Sequence, residues 1–184
     1  MVESRTSEMR HRRWPVAMSI AIAIAAVAWP KAQSPLFVWN VSRSVPVGLY
    51  VIVARPPSKG EFAALRLSEP MRGLARARGY LPTHAMLIKP VAALAPDLVC
   101  RHGAIVTING RLVARALTAD TSSRSLPQWG GCHEIDGHQF FVLSGELNSF
   151  DSRYFGAVDA FQVIGTGISV YSTEFWPSSE SAKN

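Results

Sequence analysis

AIVTINGRLVARAL, residues 104–117, places two short apolar runs on either side of Asn109-Gly110. That dipeptide tolerates the positive φ angles of a tight two-residue turn, so the stretch predicts a β-hairpin. The same grammar extends outward. GLYVIVA (48–54), AMLIKPVAAL (85–94), HQFFVLS (138–144) and FQVIGTGISVYS (161–172) are short apolar runs punctuated by Pro, Gly or Asn, and each predicts a strand. One helix stands out over 69–78, with Ser68 at the N-cap position, Pro70 in the first turn and Gly79 at the end. A chain of 184 residues with this pattern predicts one mainly β domain with a short appendage at one end. PSSESAKN, residues 177–184, predicts a disordered tail.

The appendage is at the N-terminus. Residues 16–29, VAMSIAIAIAAVAW, carry no charge and follow HRRWP. The run falls short of the ~20 residues that usually span a bilayer, and extending it to Trp39 admits Pro30, Lys31 and Pro35. A cleaved signal peptide, a retained signal anchor and a buried core helix are the alternatives. Trp14, Trp29 and Trp39 suit interfacial positions and favour the anchor. Arg5, Arg10, Arg12 and Arg13 precede the segment, where positive charge holds the N-terminus in the cytoplasm. The expected organisation is a cytoplasmic basic N-terminus (1–13), an anchor and linker (14–38), an extracytoplasmic domain (39–176) and the tail (177–184). The net charge of +6 is otherwise dispersed, so no nucleic-acid partner is expected.

The two cysteines, Cys100 and Cys132, both follow that segment. On an oxidising side of the membrane a single disulfide is the economical reading. A metal site is the rival, since His102 and His133 lie beside them, but the paired spacing of a closed zinc site is only half present.

Three stretches carry potential chemistry. In WNVSRSVPVGLYV (39–51), Ser42 and Ser44 precede Pro46 and Gly48; they are either turn serines bonding local backbone or an activated nucleophile with a helper. In AMLIKPVAAL, Lys89 has only apolar or proline neighbours. An exposed lysine keeps a pKa near 10.4 and snorkels to solvent, whereas burial disfavours the ammonium and turns the amine into a usable base. In SFDSRYFGAV (149–158), Asp151 and Arg153 are close and opposite in charge, with Ser149 and Ser152 beside them. No G-x-S-x-G elbow is present, so a Ser/His/Asp arrangement has little support.

Taken in order, these stretches resemble the signal peptidase I superfamily of Ser/Lys serine proteases, most closely its conjugative-transfer (TraF-type) branch. The first box, N-x-[ST]-x-S-x-P-x-G-[LI]-Y, is met by Asn40, Ser42, Ser44, Pro46, Gly48, Leu49 and Tyr50. Lys89, followed by APDLV and TINGRLVA, fits the second landmark. Ser149, Asp151, Ser152, Arg153, Tyr154, Gly156 and Val158 fit the third. Val45 after Ser44, Pro46 at the second position, and SGELN leading into the last box depart from ordinary signal peptidases and favour the conjugative branch.

The resemblance implies a β domain of antiparallel, partly barrel-like sheets behind an N-terminal membrane anchor helix, on the periplasmic face of the inner membrane. It implies Ser44 as nucleophile and Lys89 as base, with the Ser44 N–H and the Ser42 hydroxyl forming the oxyanion hole. Ser149 then orients Lys89, Asp151 and Arg153 pin the loop, and Pro46 and Gly48 shape the turn that presents Ser44. The implied partners are the membrane and a signal-peptide-bearing precursor, specifically a propilin, cut by hydrolysis or closed into a ring. No metal or organic cofactor is implied. A general signal peptidase and a non-catalytic periplasmic scaffold are the competing functions.

Overall fold

The computed structural model describes residues 36–82 and 86–173. The basic N-terminus, the apolar segment 16–29 and the tail 177–184 lie outside the described residues. No described helix is long and apolar enough to cross a membrane.

The hairpin over 104–117 forms as its dipeptide dictates: Asn109 and Gly110 adopt φ of 52° and 78° between strands β6 (Ile105–Ile108) and β7 (Arg111–Arg115). These strands belong to a small antiparallel sheet ordered β7-β6-β5-β8, with β5 at Leu98–His102 and β8 at Gly131–Glu134. Cys100 and Cys132 lie opposite each other on β5 and β8 and are joined by a disulfide.

The larger sheet is also antiparallel and curls into a half-barrel. Its order is β1-β2-β11-β3-β4-β9-β10, from β1 (Leu36–Asn40), β2 (Gly48–Val53), β11 (Val163–Ser172) and β3 (Phe62–Leu65) to β4 (Leu87–Ala93), β9 (Gln139–Val142) and β10 (Val158–Asp159). The fold is therefore mainly β. Leu36–Val38, read from sequence as the end of a linker, are strand residues paired with Tyr50–Ile52.

Strand β4 is central and buried along nearly its whole length, pairing with β3 on one side and β9 on the other. Pro90 within it lacks a ladder donor, and the register with β9 breaks between Val91 and Ala93. Alternation sends Leu87, Lys89 and Val91 to one face and Ile88 to the other. Leu87 and Val91 pack there with Ala63, Leu65, Phe140 and Val142, under helix α1 (Glu69–Ala77), which contributes Ala75. On the opposite face Ile88 meets Ala64, Val45, Tyr50 and Ile52. A third cluster, with Phe141, Val99, Val106 and Ile135, cements the small sheet to the large one.

Helix α1 begins after Ser68 as expected, but the Ser68 side chain makes no capping hydrogen bond; Pro70 supplies the preset first turn. Its end is a Schellman turn, with Tyr80 N–H donating to Ala75 O and Gly79 N–H to Arg76 O. A second, four-residue helix, α2 (Ser152–Phe155), follows Asp151, whose carboxylate accepts from the Arg153 N–H.

Candidate active site

The β1–β2 hairpin presents the serine pair. Asn40, at the last position of β1, folds its amide under the connection: Nδ2 donates to the carbonyls of Ser42, Val45 and Pro46 at 2.7–3.1 Å, and Oδ1 accepts from the Ser42 N–H. Tyr50 Oη donates to Pro46 O at 2.8 Å. Pro46 is thus held from two strands, and its neighbours Ser44 and Val45 are buried. Gly48 has to be glycine, because a Cβ there would lie 1.9 Å from the Tyr171 carbonyl oxygen of β11. The close approach of backbone, rather than a turn, is the reason.

Lys89 does not snorkel. It is 3% exposed, and its Nζ lies 2.6 Å from Ser44 Oγ and 2.7 Å from Ser149 Oγ, the two hydroxyls being 3.2 Å apart. Burial pulls the Lys89 pKa down to about 8; Asp151 opposes that shift, and Arg153 adds to it. Near pH 8 a large fraction of this amine is neutral and within proton-transfer reach of a serine hydroxyl.

The loop that brings Ser149 to Lys89 is built on a buried ion pair. Asp151 and Arg153 are fully enclosed and bidentate, with Nε–Oδ1 at 2.8 Å and Nη2–Oδ2 at 3.0 Å. A buried pair needs its remaining valences filled. Here Arg153 Nη2 donates to Ser144 O, and Asp151 Oδ2 accepts from Ser144 N–H at 3.0 Å. Ser144 Oγ in turn donates to Ser44 O at 2.7 Å, so one residue ties the ion pair to the backbone of the nucleophile candidate. Ser152 is engaged elsewhere, its Oγ accepting from Val142 N–H on β9.

The structure therefore gathers Ser44, Lys89, Ser149, Asp151 and Arg153 into one buried constellation. Ser42 is exposed and stands at the rim of the adjoining cleft of about 330 Å³, which Ser44, Lys89 and Ser149 also line. Leu81, Leu117, Leu126 and Phe150 form its apolar walls. Tyr80, delivered by the turn ending α1, donates from Oη to Asp120 at 2.5 Å; that bond and those from Arg124 hold the Asp120 carboxyl well below the usual carboxylate range.

Sequence reasoning missed the roles of Asn40, Ser144 and Asp120. A polar residue closing an apolar strand was the available signal for Asn40. Ser144 and Asp120 lie in polar loops that offer none. Cys100, His102 and Cys132 bring ligand-type atoms within 4.8 Å of one another, but the two sulfurs are bonded together, which leaves a single imidazole.

An antiparallel β domain with a buried Ser–Lys–Ser triangle at the mouth of a cleft has the makings of a peptidase. Residues 11–172 match the family model for signal peptidase, peptidase S26, and the chain belongs to that family. It is 32% identical over 138 residues to the plasmid transfer protein TraF of Escherichia coli, covering 68% of this chain and 77% of the relative. The conjugal transfer protein TraF of Agrobacterium tumefaciens (strain 15955) is 33% identical over 162 residues, covering 82% and 90%. Among solved structures, a signal peptidase I from Enterococcus faecalis V583 aligns with a TM-score of 0.35 and 19% identity, covering 61% of this chain and 97% of that one.

Proposed function

We propose that the chain is a membrane-anchored serine endopeptidase that removes signal peptides from exported precursors and matures a pilin precursor in conjugation. The observation that carries this reading is the 2.6 Å approach of a buried, pKa-lowered Lys89 to Ser44. The relatives named for plasmid and conjugal transfer supply the cellular context.

Neutral Lys89 takes the proton of Ser44 Oγ as that oxygen attacks the scissile carbonyl carbon. The tetrahedral oxyanion is received by the Ser44 N–H and the Ser42 hydroxyl. Collapse expels the amine, which takes the proton back from the Lys89 ammonium and leaves an ester on Ser44. Water activated by Lys89 cleaves that ester; an amine of the substrate itself attacks in its place if the product is cyclic. Ser149 accepts a hydrogen bond from Lys89 throughout and keeps its lone pair aimed at Ser44. Asp151 and Arg153 hold the Ser149 loop, and the apolar segment 16–29, acting as membrane anchor, places the domain on the periplasmic face of the inner membrane.

An apolar sheet face supports that location. Trp39, Leu49 and Tyr171 line up across β1, β2 and β11, as do Phe37, Val51 and Ile168. Phe37, Trp39 and Tyr171 are each more than half exposed, next to the connection that carries Ser44.

The test is incubation of purified full-length protein with propilin and with unrelated precursors, read by intact product mass. Ser44→Ala and Lys89→Ala are expected to abolish propilin processing, with the product mass distinguishing a hydrolysed from a cyclised chain. Processing that survives either substitution overturns the dyad. Equal processing of unrelated precursors replaces the conjugative assignment with a general signal peptidase.

A further inference from the structure

Helix α2 carries the Asp151–Arg153 pair into the site, yet four residues cannot hold themselves helical in isolation. Its support comes from the module built around the small sheet. Arg101, on β5, is 2% exposed, and its described hydrogen-bond partners are all backbone carbonyls: Arg153 O at 2.6 Å, Gly103 O at 3.0 Å and Pro127 O at 3.4 Å. Trp129, in the segment leading into β8, donates from Nε1 to Ser152 O at 2.9 Å while its ring packs edge-on against Phe141. Leu117 N–H, just beyond β7, donates to Tyr154 Oη at 3.2 Å. Three consecutive residues of α2 are therefore gripped from one side by the small-sheet module. From the other side Arg153 reaches Ser144, and Ser144 reaches Ser44.

The disulfide is placed where it affects two of these grips at once. Cys100 immediately precedes Arg101, and Cys132 follows Trp129 by three residues, so the S–S bond ties together the two segments that bear the donors. A buried guanidinium whose described hydrogen bonds all go to carbonyls is an expensive way to hold a fold together, since burial of a charge is costly unless its hydrogen bonds are well made. Its placement at the helix that carries Asp151 and Arg153 gives that expense a purpose.

We infer that Arg101 and Trp129 are positioning residues for the Ser44–Lys89–Ser149 triangle, acting through α2, and that the Cys100–Cys132 disulfide keeps both in place. The inference rests on the Ser/Lys reading above. Reduction of the bond by a dithiol yields two thiols, oxidises the reductant to its own disulfide and leaves β5 and β8 held to each other by strand pairing alone. Loosened α2 admits water to Lys89, which restores part of its ordinary basicity.

The experiment measures kcat and KM of full-length protein in detergent on a precursor peptide across pH. It compares wild type with Trp129→Phe, Arg101→Met, Arg101→Lys, the double variant Cys100→Ser/Cys132→Ser, and Ser44→Ala. Trp129→Phe, which keeps a ring against Phe141 but loses the N–H, is expected to lower kcat about tenfold. KM is expected to stay within about twofold, and the midpoint of the rising pH limb to move to higher pH. Arg101→Met is expected to do the same and Arg101→Lys to recover part of the loss. The serine double variant and dithiol-treated wild type are expected to move in the same direction. A purely structural role lowers the active fraction without moving the pH midpoint, and that outcome overturns the inference, as does wild-type behaviour in Trp129→Phe. If Arg101→Met does not fold, Trp129→Phe decides alone. An unchanged double variant removes the disulfide from the account. Cleavage that persists in Ser44→Ala removes the Ser/Lys reading itself, which is a separate failure.

Discussion

Lys89 is the residue on which sequence and structure meet most sharply. An amine in an apolar run allowed either a snorkelling side chain or a base, and burial on the same face as Leu87 and Val91 decides for an enclosed amine. Burial has a stability consequence whose sign follows from linkage. The folded-state pKa of about 8 is below the ordinary value of 10.5, so the unfolded chain binds more protons between those values, and stability rises with pH across that window. Below pH 8 the charged, buried form weighs on the fold in full, by roughly 3 kcal/mol. Lys89→Met keeps the packing without the charge but leaves the Ser44 and Ser149 hydroxyls with one partner fewer. It is expected to stabilise the domain at pH 7 by about 1–2 kcal/mol, with the advantage fading from pH 8 towards 10.5. Urea unfolding of both proteins at several pH values checks this; a variant less stable than wild type at pH 7 contradicts it.

At the scale of elements, the β1–β2 hairpin and its contact with β11 fix where Ser44 stands. Gly48→Ala puts a methyl group into the Tyr171 carbonyl, and two strand backbones have to part to admit it. The expected loss is at least about 2 kcal/mol, together with processing activity, because Gly48 closes the connection that presents Ser44. A urea midpoint unchanged from wild type rejects that account of the glycine. The hairpin at Asn109-Gly110, strand β4 and helix α1 were legible in sequence because local chemistry alone specifies them. Strands β1, β3, β5, β8 and β10 were not, being set by their partners; β8 is exposed along its length and gives no apolar signal. The triangle Ser44, Lys89 and Ser149 was legible as three ordered boxes. Ser144, Arg101 and Trp129 were not, since each acts on a backbone carbonyl brought near by tertiary packing, and carbonyls leave no mark in a sequence.

At the scale of the whole molecule, the apolar face of β1, β2 and β11 adjoins the loop that carries Ser44, so the membrane contact and the nucleophile proposed above share one side of the sheet. Phe37→Ser/Trp39→Ser/Tyr171→Ser in the full-length chain is expected to slow processing of a vesicle-embedded precursor severalfold, as apolar area is withdrawn from the bilayer boundary. Cleavage of a short soluble peptide is expected to be unaffected. Equal effects on both substrates contradict a membrane-facing role for this surface. The central claim, that an uncharged Lys89 activates Ser44, is tested most directly by the rate at which a serine-directed acylating probe labels Ser44, followed by intact mass from pH 6 to pH 10. Labelling is predicted to climb through a midpoint near 8 in the wild type and to be lost at every pH in Lys89→Met. Labelling that is flat with pH, or that persists in the variant, contradicts it.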